Sequence, residues 1–562
     1  MQEYAREKFK NEVAQLLKKE SISAERLESP PKGVDADISF PCFALAKEMR
    51  KSPVEIAKEL AGKIKPGAKS IIGSVSAAGP YVNFSINQKT FPNLLLSEID
   101  EAYGFQKPKK KALVEHTSIN PNASPHVGRS RNAILGDSIV RILKHTGYDV
   151  ETHYWVNDIG KQIALLVIGC SKKNLEELDF EDMLQIYRNA NAELEKNPEM
   201  EKEIFALLQK MEGGDKKTIE LFQKVTGICV QGQRKILKSL NIDYDFFDYE
   251  SEQVYKNKVE AVMKSLEKTG RVITDEQNRK VLKLDNLGLP EGCEHMVIAR
   301  SDSTSMYTVR DIGYTLDKIK RAKDMNVVVL GEDHQLHFKQ LSAVIRLLGY
   351  EPPRVVHYAF ILLPSGKMST RKGEVVLLSD FMKEACDAAF EEITTRYPEL
   401  QQKEKEERAK KISIAAVRYG IVKVSPEKNI IFNLADAIKF EGDTGPYLQY
   451  TYARANSILQ KEMPPKKFDA SKLSQIEEIA VLRILSGFPE VLGLASGELK
   501  PHYVAVYIHE LADAFNTFYQ KIPVLKAENE ELKAARLHLV LATKNVLSAG
   551  LELLGIDALE EM

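Results

Sequence analysis

The stretch A-L-V-E-H-T-S-I-N-P-N-A-S-P-H-V-G-R, from Ala112 to Arg129, joins a short apolar run to a helical pattern through a loop rich in proline, asparagine and serine. The helix is predicted to begin near Gly128, and Gly147 stands where a glycine commonly ends a helix. Its apolar face is marked by Ile134, Leu135, Ile139, Ile142 and Leu143. A strand-like run, Y-D-V-E-T-H-Y-W-V, follows. Strand, helix and strand within about 45 residues form a parallel crossover, the opening of a doubly wound sheet.

The chain divides into three regions around that unit. Residues 1–106 combine an amphipathic helix, F-P-C-F-A-L-A-K and the alternating run Y-V-N-F-S-I-N, and we expect a small α+β domain. Residues 107–378 are predicted to form a Rossmann-like domain, with Lys107–Lys111 as a linker into it. After a polar helical insertion at about 170–240, its sheet resumes at N-V-V-V-L and V-V-H-Y-A-F-I-L-L. Residues 379–562 have apolar residues at three- and four-residue spacing, which predicts an all-α bundle.

Composition narrows the class of protein. The 562 residues carry a net charge of -1, which neither supports nor excludes a nucleic-acid partner, because such binding depends on local basic patches. The five cysteines form no C-x-x-C pair, so we expect no zinc site and a reduced, intracellular protein. The sequence shows neither the apolar core of a signal peptide nor an apolar run of bilayer length. We therefore expect a cytoplasmic protein with no membrane association.

Three loops are predicted at the carboxyl ends of strands, where an open parallel sheet binds its ligands. The first, Glu115–Arg129, ends at a helix N-terminus, whose free N–H groups and dipole suit a phosphate. Gly128 allows close approach of a flat base, and His126 and Arg129 share one side of the first turn. Taken alone, this loop is better explained as an ordinary capped helix that contains a stray histidine.

The other two loops are also ambiguous by themselves. In G-E-D-H-Q-L-H-F-K-Q, Gly331–Gln340, two histidines lie three apart beside two acidic residues. No further cluster has matching ligand spacing, so we predict no metal site there. The third loop, P-S-G-K-M-S-T-R-K-G, spans Pro364–Gly373. It is either an exposed basic hairpin tip or a loop that brings Lys367 onto a polyphosphate as charge moves to the leaving group.

The order of these motifs resembles that of class I aminoacyl-tRNA synthetases: H-V-G-R early, K-M-S-T-R much later, and a helical domain after it. Within that class, V-E-H-T-S-I-N-P-N, R-S-D-S-T-S-M-Y-T-V-R-D-I-G and E-G-D-T-G-P-Y-L-Q-Y-T-Y-A-R-A resemble arginyl-tRNA synthetases. The terminal stretches F-P-C-F-A-L-A-K and L-L-G-I-D-A-L-E-E-M do so too, and the resemblance is least clear over 170–290. It implies an arginine–tRNA ligase, which activates L-arginine with ATP and transfers it to the 3'-terminal adenosine of its tRNA.

The resemblance also implies the residues of the substrate sites. Those that hold arginine are Glu115, Asn120, Tyr307, Asp311 and Gln335. Carboxylate and amide oxygens accept in pairs from the planar five-donor guanidinium, which the compact ammonium of lysine does not match. Those at ATP are Pro125, His126, Val127, Gly128, Arg129, Gly331, Glu332, Lys367, Met368 and Ser369. Of these, the predicted catalytic residues are His126, Arg129, Lys367 and Ser369.

The remaining partners follow from the same resemblance. Mg²⁺ is expected with the ATP phosphates, and the N-terminal domain is expected to meet the elbow of the tRNA. Aromatic and arginine side chains of the helical domain are placed to stack on anticodon bases, although each tyrosine is equally compatible with packing between helices. The residues concerned are Tyr447, Tyr450, Tyr452 and Arg454. We expect a monomer.

Two residues depart from the pattern of the class. Arg129 stands where the class has a second histidine, and arginine cannot shuttle protons, so its predicted role is electrostatic. Thr370 stands where the class often has a second lysine, which leaves Arg371 or Lys372 to supply that charge. The alternatives are a class I synthetase for another amino acid, a nucleotidyltransferase of the same fold, and a non-catalytic tRNA-binding relative.

Overall fold

The computed structural model describes residues 3–31, 33–255, 258–301, 306–363, 366–367 and 376–562, and for Tyr255, Leu363 and Lys367 it describes the backbone alone. The N-terminal region is an antiparallel sheet with helices, in which the strand order is β1-β3-β2. Its elements are α1 (Ala5–Lys19), β1 (Ile38–Pro41), α2 (Ala46–Met49), α3 (Pro53–Lys63), β2 (Ile72–Ala78), β3 (Tyr81–Ile86) and α4 (Phe91–Glu98). Buried residues of α1 recur every four positions, at Ala5, Phe9, Val13 and Leu17. This is the small α+β unit that the sequence predicts.

The second region is built on a five-stranded parallel sheet. Its elements as far as the insertion are β4 (Gln106–Glu115), α5 (Val127–His145), β5 (Thr146–Val156), α6 (Lys161–Cys170), α7 (Phe180–Lys196), α8 (Met200–Glu212) and α9 (Lys216–Lys238). Then come β6 (Phe246–Tyr249), α10 (Ser251–Tyr255), α11 (Lys258–Glu267), β7 (Val272–Thr274), β8 (Lys280–Lys283) and β9 (His295–Ala299). The region ends with α12 (Tyr307–Arg321), β10 (Met325–Gly331), α13 (Gln335–Leu347), β11 (Arg354–Tyr358), β12 (Ile361–Leu363) and β13 (Gly366–Lys367).

The strand order of the sheet locates its ligand crevice. All neighbours run parallel in the order β11-β10-β4-β5-β6. The chain moves outward from β4 through β5 to β6, and then returns to the other side of β4 with β10 and β11. The order therefore reverses between β4 and β10, and a doubly wound sheet binds its ligands at such a reversal. The predicted doubly wound sheet is confirmed, and its crevice lies at the carboxyl ends of β4 and β10.

The basic run Lys107–Lys111 is not the linker that we predict, because it forms the first half of β4. Its pairing with β5 runs, with one irregularity, from Gln106 opposite Thr146 to Glu115 opposite His153. The lysines are exposed while Ala112–Glu115 are buried, because β10 covers only the second half of the strand. Hydrogen bonding to β5 holds this segment extended without an apolar pattern.

The run V-V-H-Y-A-F-I-L-L, predicted as one strand, is two. β11 ends at Tyr358, and β12 belongs to another small sheet. At the break, the buried guanidinium of Arg131 in α5 donates to the carbonyls of Ala359 at 2.6 Å and Phe360 at 3.4 Å. It also donates to the carbonyl of Ser425, from the helical region, at 3.0 Å. Backbone carbonyls that would extend the strand bind a side chain instead.

The helical insertion has its own core. Helices α7, α8 and α9 pack with α6 around buried residues that include Ile163, Met183, Ile204, Phe222 and Cys229. The insertion is followed by a further three-stranded sheet, β7-β8-β9, which the sequence does not predict. That sheet shares a core with α11, α12 and α13, and so supports the face of α12 that is turned away from the solvent.

The C-terminal region is the predicted helical bundle, with one short strand that pairs in parallel with β12. Its elements are α14 (Leu378–Arg396), α15 (Gln402–Val422), β14 (Ile430–Ile431), α16 (Leu434–Ala437), α17 (Gly445–Lys461), α18 (Ile476–Ser486), α19 (Phe488–Glu498), α20 (His502–Lys521) and α21 (Glu530–Leu553). Arg418 of α15 is fully buried and donates to the carboxylate of Asp137 in α5 and to the carbonyls of Leu240 and Leu554. The bundle is thereby fixed to the helix that follows β4.

One stretch of the described chain, Ile476–Glu498, has the length and mean hydropathy, 1.5, of a helix able to cross a membrane. It is not one helix, because α18 ends at Ser486 and α19 begins at Phe488, with Gly487 between them and Pro489 at the second position of α19. Leu482, Leu485 and Phe488 are completely buried in the bundle. Packing between helices therefore accounts for these apolar side chains, whereas Ile476 and Leu494 of the same stretch are exposed.

Candidate active site

The turn at His126 lies at the carboxyl end of β4, at the start of α5. His126 is the residue before the helix, and its side chain makes no capping hydrogen bond. Burial, reinforced by the charge of Arg129, lowers the pKa of the His126 imidazole to about 4. His126 is therefore neutral at physiological pH, so it offers a hydrogen bond rather than a charge, and the permanent positive charge of this turn belongs to Arg129.

The chain that follows the lysine loop is bonded directly to this turn. The Val127 N–H donates to the Val376 carbonyl at 3.1 Å, and the Leu378 N–H donates to the Pro125 carbonyl at 2.9 Å. On the other side of the loop, the Lys367 backbone pairs with Leu362. Met368, Ser369 and Thr370 lie outside the described residues, as does the side chain of Lys367. The described chain thus brings the segment that follows the K-M-S-T-R loop to the H-V-G-R turn.

Side chains from distant parts of the sequence hold the first loop in shape. Thr117 has φ +78°, a left-handed conformation, and its N–H donates to Asn132 at 2.6 Å. Asn132 in turn donates to the Val329 carbonyl at 2.9 Å, which links α5 to β10. Gln233 of the insertion donates to the carbonyls of Asn120 at 2.9 Å and Ala123 at 2.8 Å. The insertion therefore helps to shape the loop that precedes α5.

Sequence reasoning missed both of these supporting residues. Asn132 carried little signal, since other polar residues of the same helix, among them Arg131 and Asp137, are buried as well. Gln233 carried none, because it lies more than 100 residues from the loop it holds.

Gly331 ends β10 and Glu332 follows it, next to the turn just described. Gly331 is buried at the last position of the strand, and Glu332 is partly buried in the short turn that precedes α13. A Cβ atom at Gly331 would lie 2.3 Å from Oδ1 of Asp333, so the backbone approaches that side chain closely. These two predicted ATP residues thus lie on the strand beside β4, at the reversal of the sheet.

Two predicted arginine ligands, Tyr307 and Asp311, lie one turn apart at the start of α12. Asp311 Oδ2 accepts from Nε2 of His337 in α13 at 2.7 Å. The ring of Tyr307 lies against the same imidazole, with 5.4 Å between ring centroids, and is 55% exposed. The structure brings these two residues together around His337, which sequence reasoning did not assign.

Glu115, also predicted to hold arginine, is buried in an ion pair with Lys318 of α12, another residue that we did not predict. The Lys318 ammonium lies 4.4 Å from the ring centroid of Tyr314. That ring stacks on Trp155 with 3.9 Å between centroids, and its hydroxyl donates to Asp248 at 2.8 Å. A signal for Lys318 existed, because positions 307, 311, 314 and 318 follow the helical repeat on one face of α12.

The buried carboxyl of Glu115 interacts with the charges of Lys318 and Asp311 on α12. Burial raises the pKa of the Glu115 carboxyl, the charge and hydrogen bond of Lys318 oppose that rise, and the negative charge of Asp311 adds to it. Glu115 and Asp311 therefore belong to one electrostatic site. The other two predicted arginine ligands, Asn120 and Gln335, are exposed, and the Asn120 amide lies 3.4 Å from Gln162 Oε1.

Three of the four predicted RNA-binding residues cluster on the bundle. The Arg454 guanidinium lies 4.6 Å from the ring centroid of Tyr450 and 4.8 Å from that of Tyr519. The Tyr447 hydroxyl donates to Asp513 at 2.7 Å. A cavity of about 570 Å³ opens beside this cluster, lined by Tyr450, Arg454, Tyr519, Lys526 and Met562.

Tyr452 is separated from that cluster. It is 8% exposed and packs in the core of the bundle, with the ammonium of Lys544 in α21 at 5.7 Å from its ring centroid. The ring is thus covered by protein, as expected for a tyrosine that packs between helices.

Profiles of three known families match the chain. They are described as tRNA synthetases class I (R), catalytic domain, at residues 90–434; Arginyl tRNA synthetase N terminal domain, at residues 3–86; and DALR anticodon binding domain, at residues 448–562. The chain is 41% identical over 531 residues to the arginine–tRNA ligase of Methanosarcina mazei and 40% identical over 530 residues to that of Methanosarcina barkeri. Both alignments cover 92% of each chain. The chain belongs to the arginyl-tRNA synthetase family.

Solved structures agree with this assignment. The arginyl-tRNA synthetase of Thermus thermophilus superposes with a TM-score of 0.83 at 28% identity, over 98% of this chain and 99% of that one. A methionyl-tRNA synthetase of Mycobacterium tuberculosis shares the fold, with a TM-score of 0.53 at 14% identity, over 80% of this chain and 91% of that one.

The predicted family, fold class and activity are confirmed. Arginyl-tRNA synthetases use ATP as a substrate, and this chain is an arginine–tRNA ligase with a class I catalytic domain and a DALR anticodon-binding domain. The alternatives of a different amino-acid substrate and of a nucleotidyltransferase find no support in these relatives.

Proposed function

We propose that this arginine–tRNA ligase joins arginine to ATP in the crevice between the ends of β4 and β10. The observation that carries the proposal is the pair of backbone hydrogen bonds between Pro125–Val127 and Val376–Leu378. They support a site in which the H-V-G-R turn and the K-M-S-T-R loop act on the same nucleotide, because the segment that follows one motif is hydrogen-bonded to the other.

In the ATP half of the site, the H-V-G-R turn and Lys367 bind the phosphates. The arginine carboxylate attacks the α-phosphorus, an arginyl-adenylate forms, and pyrophosphate leaves; such chemistry depends mainly on positioning and charge stabilisation. His126, partly buried and neutral, donates a hydrogen bond, while Arg129 and Lys367, with Ser369, meet the negative charge. Gly331 and Glu332 lie beside the adenosine. Mg²⁺ accompanies ATP mainly through phosphate oxygens and water, and so needs few protein carboxylates.

In the arginine half, Asp311 and Tyr307 take the guanidinium, and Glu115, Asn120 and Gln335 complete the set. The support is chemical, since a guanidinium pairs best with a carboxylate that accepts two parallel hydrogen bonds. Asp311 is only partly covered and Tyr307 is largely exposed, so both are accessible to a substrate.

The tRNA is proposed to span the chain from the bundle to this crevice. Arg454, with the adjacent rings of Tyr450 and Tyr519, offers stacking surfaces for unpaired bases, and Tyr447 lies on the same helix. Tyr452 is left out of this set because its ring is buried. A ribose hydroxyl of the terminal adenosine then attacks the carbonyl carbon of the adenylate, and AMP leaves. We further propose that the enzyme acts as a cytoplasmic monomer.

The arginine half is tested with Asp311→Asn, using pyrophosphate exchange in the presence of tRNA. Loss of a charged hydrogen-bond acceptor is expected to raise KM for arginine by about ten- to a hundredfold and to leave KM for ATP unchanged. Asp317→Asn is the matched control, because Asp317 lies on the same helix and its side chain is as exposed as that of Asp311, at 32%, but it pairs with Lys258 instead of His337. Equal changes in both KM values, or no change in either, would show that Asp311 is not part of the arginine site.

A further inference from the structure

His337 touches both residues that we assign to the guanidinium, and no role has been given to it so far. Its Nε2 lies 2.7 Å from Asp311 Oδ2, and the ring of Tyr307 lies tilted against the imidazole at 5.4 Å. Within the described part of the chain, no donor lies at hydrogen-bonding distance from the other oxygen, Oδ1 of Asp311. The imidazole thus fixes one edge of the carboxylate and leaves the other for a ligand.

We propose that His337 is a positioning residue for Asp311 and that protonation of its imidazole opposes the binding of arginine. The inference rests on the proposed function, in which Asp311 receives the guanidinium. Neutral His337 donates Nε2–H to Oδ2 and orients the carboxylate. Once protonated, it is a cation that is already paired with Asp311, and so it competes with the positive charge of the substrate.

The surroundings of His337 make this competition effective near neutral pH. Burial lowers the pKa of the imidazole, but the hydrogen bond and the charge of Asp311 outweigh it and raise the pKa above its ordinary value. Around His337, α13 packs against α12 and the turn Glu332–His334. The next residue, Phe338, lies edge-on to His357 of β11 with 6.1 Å between ring centroids, and the far side of α13 shares a core with the β7-β8-β9 sheet. From α12 the imidazole meets Asp311 and Tyr307, whereas Asp333 of the turn faces His334 at 3.7 Å. Asp311 is therefore the charge that governs His337.

The direction of the pH effect follows from proton linkage. If a guanidinium at Asp311 removes the favourable partner of protonated His337, binding of arginine releases that proton. KM for arginine should therefore rise by up to about tenfold for each unit by which the pH falls below the pKa of His337. KM for ATP should not show this dependence on pH, because His337 is not among the residues proposed to bind ATP.

The test is the pH profile of KM for arginine and for ATP, measured by tRNA aminoacylation. In His337→Gln, an amide donor replaces the imidazole but cannot titrate, so KM for arginine should stay within severalfold of wild type at neutral pH and lose its dependence on pH. In His337→Phe, the ring contact remains but the donor is lost, and KM for arginine should rise by about ten- to a hundredfold. His334→Gln is the matched control, because it removes a histidine three residues away and should keep the wild-type profile.

Persistence of the wild-type pH profile in His337→Gln would overturn the inference, and so would an unchanged KM for arginine in His337→Phe. An unchanged KM for ATP shows that each variant is folded. Asp311→Asn distinguishes a failure of the role proposed for His337 from a failure of the proposed arginine site. If that variant raises KM for arginine while His337→Gln keeps the profile, only the role of His337 fails. If Asp311→Asn has no effect, the proposed arginine site fails as well.

Discussion

Replacing Lys318 with methionine should destabilise the catalytic domain strongly, because it isolates a buried carboxylate. The side chains of Glu115 and Lys318 are 10% and 5% exposed, and their ion pair lies beneath the face of α12 that carries Asp311. Methionine keeps the length and apolar character of the lysine stem but removes the ammonium.

The expected loss is about 3–5 kcal/mol of unfolding free energy at about pH 8, the usual cost of removing one partner of a buried ion pair. Its pH dependence has a definite sign. Burial raises the pKa of Glu115, and loss of Lys318 removes the opposing effect, so the folded-state pKa rises further above the unfolded value of about 4.3. A carboxyl of this kind binds a proton more readily in the folded state, so the variant loses stability as pH rises, and the deficit should be smaller at about pH 5.5.

The measurement is urea unfolding followed by the fluorescence of Trp155, the only tryptophan of the chain. The Trp155 ring stacks on Tyr314, and the Lys318 ammonium lies 4.4 Å from the centroid of the Tyr314 ring. The fluorescence signal therefore reports on the region that the substitution affects. Lys258→Met is the matched control, since it breaks a more exposed ion pair, between Lys258 of α11 and Asp317 of α12, and should cost about 0–1 kcal/mol. The additional change Glu115→Gln should recover much of the loss. A deficit below about 1 kcal/mol, or one equal at both pH values, would refute the reasoning.

Three further outcomes are expected. Arg129→His should keep substantial activity in pyrophosphate exchange, whereas Arg129→Ala should lose kcat more than it weakens ATP binding; an alanine variant with normal kcat would make Arg129 a surface residue. Arg454→Ala should weaken tRNA binding by about 1–3 kcal/mol in a filter-binding titration while exchange kinetics at saturating tRNA stay the same. Gly136→Ala should lower stability by about 1–3 kcal/mol in thermal unfolding, because its Cβ would lie 2.2 Å from Cγ of buried His116. Gly227→Ala, with open space around its Cβ, should be neutral or stabilising, and equal effects at both glycines would contradict the steric argument.

Local patterns were sufficient for the elements that they specify directly. The strand at Ala112–Glu115, the helix after His126 and the glycine that follows it depend on residues near one another, and all three are as predicted. The same holds for Tyr307 and Asp311, which lie one turn apart on a helix and are therefore neighbours. Lys107–Lys111 has no such pattern, because its extended form is imposed by pairing with β5.

Local sequence patterns could not predict contacts between residues that are far apart in the chain. Asp311 and His337, or Glu115 and Lys318, come together only after the sheet is assembled, and no spacing in the sequence relates the members of either pair. The same limit applies to Tyr452, since its motif is compatible with either a surface or a core position, and only packing against α21 determines which.

The sequence by itself therefore determined the family, the doubly wound sheet, the helical bundle and most of the residues proposed to touch substrate, because these depend on short motifs and on local periodicity. The tertiary structure alone decided which charges face one another across the crevice. It paired Asp311 with His337 and buried Glu115 against Lys318. These pairings arise from the order of strands and the docking of α12 and α13, and they set the electrostatic conditions under which a guanidinium would bind.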